Sequence, residues 1–263
     1  MRRTLFTALA AAALSPSVAT ADDAAPVKCL IITGDNVGAH KWKETTEVLK
    51  DFLGATGRIK VDVTTTPAKD LTDENLAKYD VLLLNYTNTA QGAADTKWSD
   101  ANKAAFLKAV HDGGKGLVVY HFASAAFAKP NWAEFETAIA GGWRAQGFHG
   151  PAHEFPVTKT AVKHPVSDGA PAKFDHVKDE LYSNSLATPG RVVLATAYCD
   201  AAKPRGTGKE EPVIWVSQYG KGRVYNNVLG HDAAALSDPN VKAWMVRGVE
   251  WAATGKVEGA TGR

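Results

Sequence analysis

The first half of the chain carries short apolar runs separated by segments of helical spacing. The runs are Lys28-Cys-Leu-Ile-Ile-Thr33, Asp80-Val-Leu-Leu-Leu-Asn-Tyr86 and Gly116-Leu-Val-Val-Tyr120, with a more alternating stretch from Ile59 to Thr64. Runs this short and apolar read as strands buried on both faces, as in a parallel sheet. Between them, Lys41 to Leu53 has helical spacing, with Trp42, Val48, Leu49 and Phe52 as inward positions. Thr72 or Asp73 can cap a short helix. Ser99 or Asp100 starts another that runs through Val110 and ends at Gly113-Gly114. Strand and helix alternating in this way predict right-handed βαβ units.

The second half changes period. Glu154 to Thr158, Arg191 to Tyr198, Pro212 to Ser217 and Arg223 to Val228 are strand-like, with few helices between them. Antiparallel pairing follows, with Tyr219-Gly-Lys-Gly222 as a hairpin turn. A last helix is expected from about Asn240 to Ala253, with Trp244, Val246 and Trp251 facing the core. No internal repeat or low-complexity linker divides the chain. The simplest reading is one α/β domain with a mixed sheet.

In such a sheet, ligands bind beyond the carboxyl ends of the strands. That rule selects the loops Gly34–His40, Tyr86–Gln91, His121–Phe127 and, if its strand has the same sense, Gly230-His231-Asp232. Three of them carry a histidine: His40, His121 and His231. The loop Gly147-Phe-His-Gly-Pro-Ala-His153 adds His149 and His153; it belongs to the long insertion after the fourth strand's helix, which has no sheet position to fill and is free to cover the crevice as a lid. Neutral imidazole is the commonest metal ligand and the acid or base best suited to neutral pH. His111, His164 and His176 lie at helix ends or beside prolines and read as surface residues. In Asp179-Glu180-Leu-Tyr182, two successive carboxylates point to opposite faces of an extended chain, so one can enter a site; Glu180 is the candidate, with a capping Asp and a solvated Glu as the plainer alternative. Trp42, Tyr86, Phe122, Trp132, Trp143, Phe148 and Tyr182 gather near these loops. Aromatic faces beside polar groups suit sugar rings, although such residues more often belong to the core.

The first residues change the picture of location. Arg2 and Arg3, the apolar stretch Leu5 to Leu14 and the small residues Ala19-Thr20-Ala21 predict a signal peptide over residues 1–21, followed by a single domain over 22–263. The mature protein is then expected in the periplasm or outside the cell, with no membrane association. Taking two arginines from 30 basic residues leaves 28, equal to the 28 acidic ones. A formally neutral chain without a basic stripe argues against nucleic acid as a partner and for a small molecule. No GxGxxG or GxxxxGK[ST] motif is present, so no nucleotide is expected. The two cysteines, Cys29 and Cys199, form no CxxC pair. Cys29 reads as a buried small hydrophobe; whether the two pair is left open.

Taken in order, several of these pieces resemble the ThuA-like (trehalose utilisation) family. They are Gly34 with His40-Lys-Trp42, Gly116-Leu-Val-Val-Tyr-His121-Phe-Ala-Ser124, Trp132, Gly141-Gly-Trp143, His149-Gly-Pro-Ala-His153 and His164-Pro165. Asp179-Glu-Leu-Tyr182, Glu211-Pro-Val-Ile-Trp215, Tyr219-Gly-Lys-Gly-Arg223-Val and Leu229-Gly-His-Asp232 complete the set. The resemblance covers about Val27 to Lys256. It implies a class I glutamine amidotransferase-like fold: a flavodoxin-like three-layer α/β/α core with a mixed, mainly parallel sheet and an antiparallel C-terminal extension. It also implies a link to sugar catabolism, with action on 3-keto-glycosides as the sharper suggestion.

The amidotransferase cysteine is absent, because His121 stands at the elbow, so thiolate hydrolysis of glutamine is ruled out by residue type. The expected enzyme is a lyase or hydrolase. A base removes the proton beside the 3-keto group, the glycosidic oxygen leaves by β-elimination, and water adds afterwards. The resulting assignment puts His121, His231 and Glu180 in catalysis. It puts His121, His231, His149 and Asp232 around a divalent ion (Zn, Mn or Ni), and His40, Trp42, Tyr86, Ser124, His149 and Tyr182 against a sugar. The alternative is a non-catalytic exported sugar-binding or accessory protein.

Overall fold

The computed structural model describes residues 25–88 and 93–258. The signal peptide expected over residues 1–21 lies outside them. Eleven strands are described: β1 Val27–Ile32, β2 Ile59–Thr64, β3 Val81–Leu84, β4 Gly116–Tyr120, β5 Gly141–Gly142 and β6 His153–Lys159, then β7 Lys173–Asp179, β8 Leu186–Ala187, β9 Val192–Cys199, β10 Lys209–Tyr219 and β11 Gly222–Asn227. The α-helices are α1 Trp42–Gly54, α2 Pro67–Asp70, α3 Asp73–Leu76, α4 Asp100–His111, α5 Ala133–Ala138, α6 Ala233–Leu236 and α7 Pro239–Thr254.

Nine strands form one sheet in the order β2-β1-β3-β4-β11-β10-β9-β6-β7. The first five in that order are mutually parallel. The remaining four continue antiparallel. β11 therefore shares the sense of β1 and β4, and the loop after it opens on the same edge as theirs.

The residue-by-residue alternation of the parallel strands builds the three layers. On β1, Cys29 and Ile31 join one core with Leu49 and Leu53 of α1 and Trp244, Met245 and Val249 of α7. Leu30 and Ile32 join the other core, with Leu76 of α3, Phe106 and Val110 of α4 and Phe135 of α5. The stretch from Cys29 to Ile32, apolar and buried at every position, serves both. Cys29 and Cys199 are both buried and free, so they are not paired.

Local chemistry sets the element ends. Ser99 and Asn102 form a capping box at the start of α4, and Thr72 caps α3. α7 begins with Asp238 as cap and Pro239 in its first turn, and it ends at Gly255 in the left-handed conformation. Strand β7 is absent from the expectation. It reads Lys-Phe-Asp-His-Val-Lys-Asp, and its inward residues include a histidine and an aspartate. His176, expected at the surface, is only 1% exposed. It stays buried because both ring nitrogens meet carboxylates.

Candidate metal centre

Four segments meet at the carboxyl edge of the parallel strands. His121 follows β4 directly and opens a 3-10 helix, His121–Ala125. Its φ of +45° is left-handed, a strained conformation for a non-glycine residue and one that collects at functional turns. Its Nδ1 lies 2.7 Å from the Val228 carbonyl. A carbonyl only accepts, so that nitrogen carries the proton, and the lone pair of the neutral ring sits on Nε2. Nε2 faces the Tyr182 hydroxyl at 3.0 Å, from which it accepts, and Glu180 Oε2 at 3.7 Å.

His40 arrives on the loop after β1. Gly34 starts that loop at φ +115°, where a Cβ would stand 2.5 Å from the Thr65 carbonyl oxygen. The Asn85 amide, bonded to Thr45, Thr46 and the Trp42 carbonyl, fixes the loop's far end against β3. The His40 ring stacks on Phe122 at 4.5 Å and meets His121 and His231 edge-on at 5.1 and 4.8 Å. Its Nδ1 is buried with no hydrogen-bond partner.

His231 arrives on the loop after β11. Its backbone N–H and that of Gly230 donate to the Asp179 carboxylate at 3.0 and 2.6 Å, and the Tyr120 hydroxyl donates to the Gly230 carbonyl. Glu180, just past β7, stands in the middle. Its carboxylate is 3.1 Å from His231 Nδ1, 3.4 Å from His149 Nε2 and 3.7 Å from His121 Nε2. The His231 contact is off line for a hydrogen bond, so that nitrogen also lacks a directed partner.

One donor atom from each of His40, His121, Glu180 and His231 lies within 4.8 Å of the others. Ligand atoms about 2.1 Å from a tetrahedral ion stand roughly 3.4 Å apart. The Glu180 separations of 3.1 and 3.7 Å bracket that spacing. Three imidazole nitrogens and one carboxylate, with two ring nitrogens lacking partners, are a donor set that fits a divalent transition metal.

Two of the four donors, His40 and Glu180, are held in the protonation state an ion needs. Burial, followed by the neighbouring His121 and His231 rings, pushes the His40 pKa down to about 3, which keeps that ring neutral. Burial opposes ionisation of Glu180, but its contacts with His121 and His231 more than offset this and hold it well below the usual carboxylate range. Glu180 in turn raises His231. The Tyr182 phenol is raised well above its ordinary value by burial and by the Glu180 and Asp179 charges.

The structure brings His121, His231 and Glu180 together with His40. His40, expected to touch substrate, belongs to the donor cluster. His149, expected as a ligand, is outside that cluster. Its Nδ1 meets the Gly150 carbonyl at 2.8 Å, and its ring approaches Glu180 from the solvent side. Asp232, also expected as a ligand, instead caps α6 by accepting from the Ala235 N–H. Tyr182 lies at the site, with Trp143 edge-on at 4.5 Å. Tyr86 does not: it is fully buried, its hydroxyl donates to the Thr96 carbonyl, and its ring packs on Trp98. Trp42 donates to Asn36 at the start of α1. Ser124 is buried in the 3-10 helix, where its carbonyl accepts from Arg144. His153 meets the Pro151 carbonyl, away from the cluster. Asp179 and His176 were missed; the only signal for them was the paired acid at Asp179-Glu180.

A family profile described as ThuA, trehalose utilisation, matches residues 28–252. A ThuA-like protein from Parabacteroides merdae, known from its crystal structure, is 33% identical, with 89% of this chain and 92% of that one covered and a TM-score of 0.76. A second, from Bacteroides uniformis, is 19% identical, with 92% and 98% covered and a TM-score of 0.71. A β-galactosidase from Rahnella sp. R3 shares the fold over 87% of this chain and 32% of its own, at 16% identity and a TM-score of 0.56. No curated protein matches. With a profile that spans nearly all the described residues and a relative at one-third identity, the chain belongs to the ThuA family, with its class I glutamine amidotransferase-like fold.

Proposed function

We propose that this protein is a metal-dependent enzyme of carbohydrate catabolism that cleaves oxidised 3-keto-glycosides by β-elimination and hydration. The observation that carries this reading is the convergence of His40, His121, Glu180 and His231 at the carboxyl edge, with no serine or cysteine nucleophile at the elbow. These four residues would hold the ion. A divalent ion there supplies Lewis-acid polarisation of the keto oxygen and stabilises the developing enolate charge.

The remaining chemistry belongs to this chain's own side chains. Glu180, with its depressed pKa, is a poor base and serves as a fixed negative charge. His149 is the base at the open side of the cluster. Its Nδ1 proton is held by the Gly150 carbonyl, and a proton taken up on Nε2 is stabilised by Glu180 3.4 Å away. The proton beside the keto group passes to His149, the C–O bond to the aglycone breaks, and the departing oxygen takes a proton. Tyr182, whose hydroxyl stands at the centre beside His121 Nε2, is the group placed to give that proton, although its raised pKa makes it a weak acid. Water then adds across the new double bond and releases a free keto-sugar. Trp143 and Tyr182 offer aromatic faces beside this centre.

Export through residues 1–21 belongs to the same reading, and it agrees with a small sugar ligand and with the lack of nucleotide motifs. The test is incubation of purified protein with a 3-keto-glycoside before and after chelation, with product followed by chromatography. Saturable binding without product would favour a sugar-binding accessory protein instead.

A further inference from the structure

Among the buried titratable groups that the proposed function leaves unused, His176 stands close in the chain to the donor cluster's Glu180. His176, on β7, is 1% exposed, and both its ring nitrogens face carboxylates: Nδ1 to Asp238 Oδ2 at 3.0 Å and Nε2 to Asp179 Oδ2 at 2.8 Å. The ring is otherwise packed against Phe155 and Phe174. Each of those two hydrogen bonds requires a proton between nitrogen and oxygen. Two carboxylates that accept from other groups as well can supply neither.

Asp179 already accepts from three backbone donors: Gly230 N–H at 2.6 Å, His231 N–H at 3.0 Å and Glu180 N–H at 2.7 Å. Asp238 accepts from the Asn240 and Val241 N–H groups at the start of α7. Asp238 takes both of these on Oδ1 and leaves Oδ2 to His176 alone; a carboxyl group is roughly two to three pK units more acidic than an imidazolium, so both protons sit on the imidazole.

We propose that His176 is a positioning residue, a buried imidazolium clamped between Asp179 and Asp238 that fixes Asp179 as the common anchor of the two segments delivering Glu180 and His231. The metal consequence rests on the proposed function above; the clamp itself does not. Burial opposes the charged ring, and the two carboxylates more than offset it, so the His176 pKa is raised. The chain of contacts runs from the α7 cap through Asp238, His176 and Asp179 to two of the four donor residues. Outer partners of this kind typically change metal affinity about 10- to 100-fold when removed. Without the positive ring, Asp179 and Asp238 are left as two buried carboxylates with no charge between them. Asp179 then takes up a proton or shifts, and either event loosens the Gly230-His231 backbone.

Three readouts test this, two of them independent of metal. In wild-type protein at about pH 8, well above the ordinary histidine pKa of about 6.5, nitrogen NMR of the His176 ring should show both nitrogens protonated. A neutral single tautomer overturns the clamp, whether or not any variant folds. In His176→Gln, hydrogen exchange at the Gly230 and His231 amides should accelerate at least about tenfold while amides of β1 and β3 keep their wild-type rates. Unchanged exchange at those two amides in a folded variant overturns the positioning role, and a variant that does not fold leaves the decision with the wild-type ring spectrum. Calorimetric titration with Zn²⁺ should show His176→Gln about 10- to 100-fold weaker than wild type, and equal affinities overturn the link to the donor cluster. If wild-type protein itself binds no Zn²⁺, the metal reading fails and the spectra still decide the clamp.

Discussion

Replacing Glu180 with glutamine isolates the charge of the donor cluster from its shape. The side chain keeps its volume and one oxygen, and its backbone N–H stays bonded to Asp179. A single negative charge is lost at a point 3.1 Å from His231 Nδ1 and 3.7 Å from His121 Nε2. For an ion of charge two roughly 3 Å from the carboxylate's charge centre, Coulomb's law at the dielectric constant of water gives about 3 kcal/mol, and an effective value of about 20 gives four times that as an upper bound. The Glu180 and His231 side chains are only 13% and 23% exposed, so solvent screens the pair in part and the lower figure is a minimum. About 3 kcal/mol corresponds to roughly a hundredfold in Kd. Calorimetric titration of chelator-stripped wild type and Glu180→Gln with Zn²⁺ at one pH should show at least that loss, with circular dichroism unchanged. Affinities within about threefold of each other would refute the reasoning, because a neutral amide would then serve as well as the charge.

The remaining predictions concern proton state, the phenol and export. The His40 pKa is lowered to about 3, against roughly 6.5 in an unfolded chain, so the unfolded chain takes up this proton first as pH falls. Its contribution to stability is full above about pH 6.5 and is lost progressively toward pH 3. Melts of stripped His40→Asn should therefore fall less steeply with acid than wild type over that window, and parallel curves would count against a buried neutral ring. Tyr182→Phe removes a donor from the His121 Nε2 lone pair, so metal affinity should be equal or up to about tenfold tighter. Turnover should drop by about 10² to 10⁴ if the phenol gives the proton, and unchanged turnover would remove it from the chemistry. N-terminal sequencing of protein from the periplasm should begin at Asp22; an intact Met1 on cytoplasmic material would contradict export.

The parallel half was legible because strand segments buried on two faces must be apolar throughout, and Cys29 to Ile32 of β1, β3 and β4 are. Strand direction then told which loops share an edge, which is why His40, His121 and His231 could be grouped from residues far apart. Ring orientation was not legible. The choice between His40 and His149 as a donor depends on the Phe122 stack and the Gly150 carbonyl, contacts made only in three dimensions. Asp232, read from the sequence as holding a ring nitrogen or a metal, accepts from the Ala235 N–H at the start of α6, a local contact the sequence does not display. Tyr86 sits at a strand end near the site, but its side chain turns into the core beside Trp98. β7 was hidden because its inward face uses His176 and Asp179 where an apolar residue would have signalled burial. Polar residues that satisfy one another inside a protein leave no periodic signal in a single sequence.

The most direct test of the account is turnover of a 3-keto-glycoside by stripped protein with and without added Zn²⁺, Mn²⁺ or Ni²⁺. The account predicts that cleavage appears with at least one of these ions, disappears on chelation and is lost in the His121→Ala variant. A substrate that stays intact under every one of these conditions, with folded wild-type protein, would contradict it.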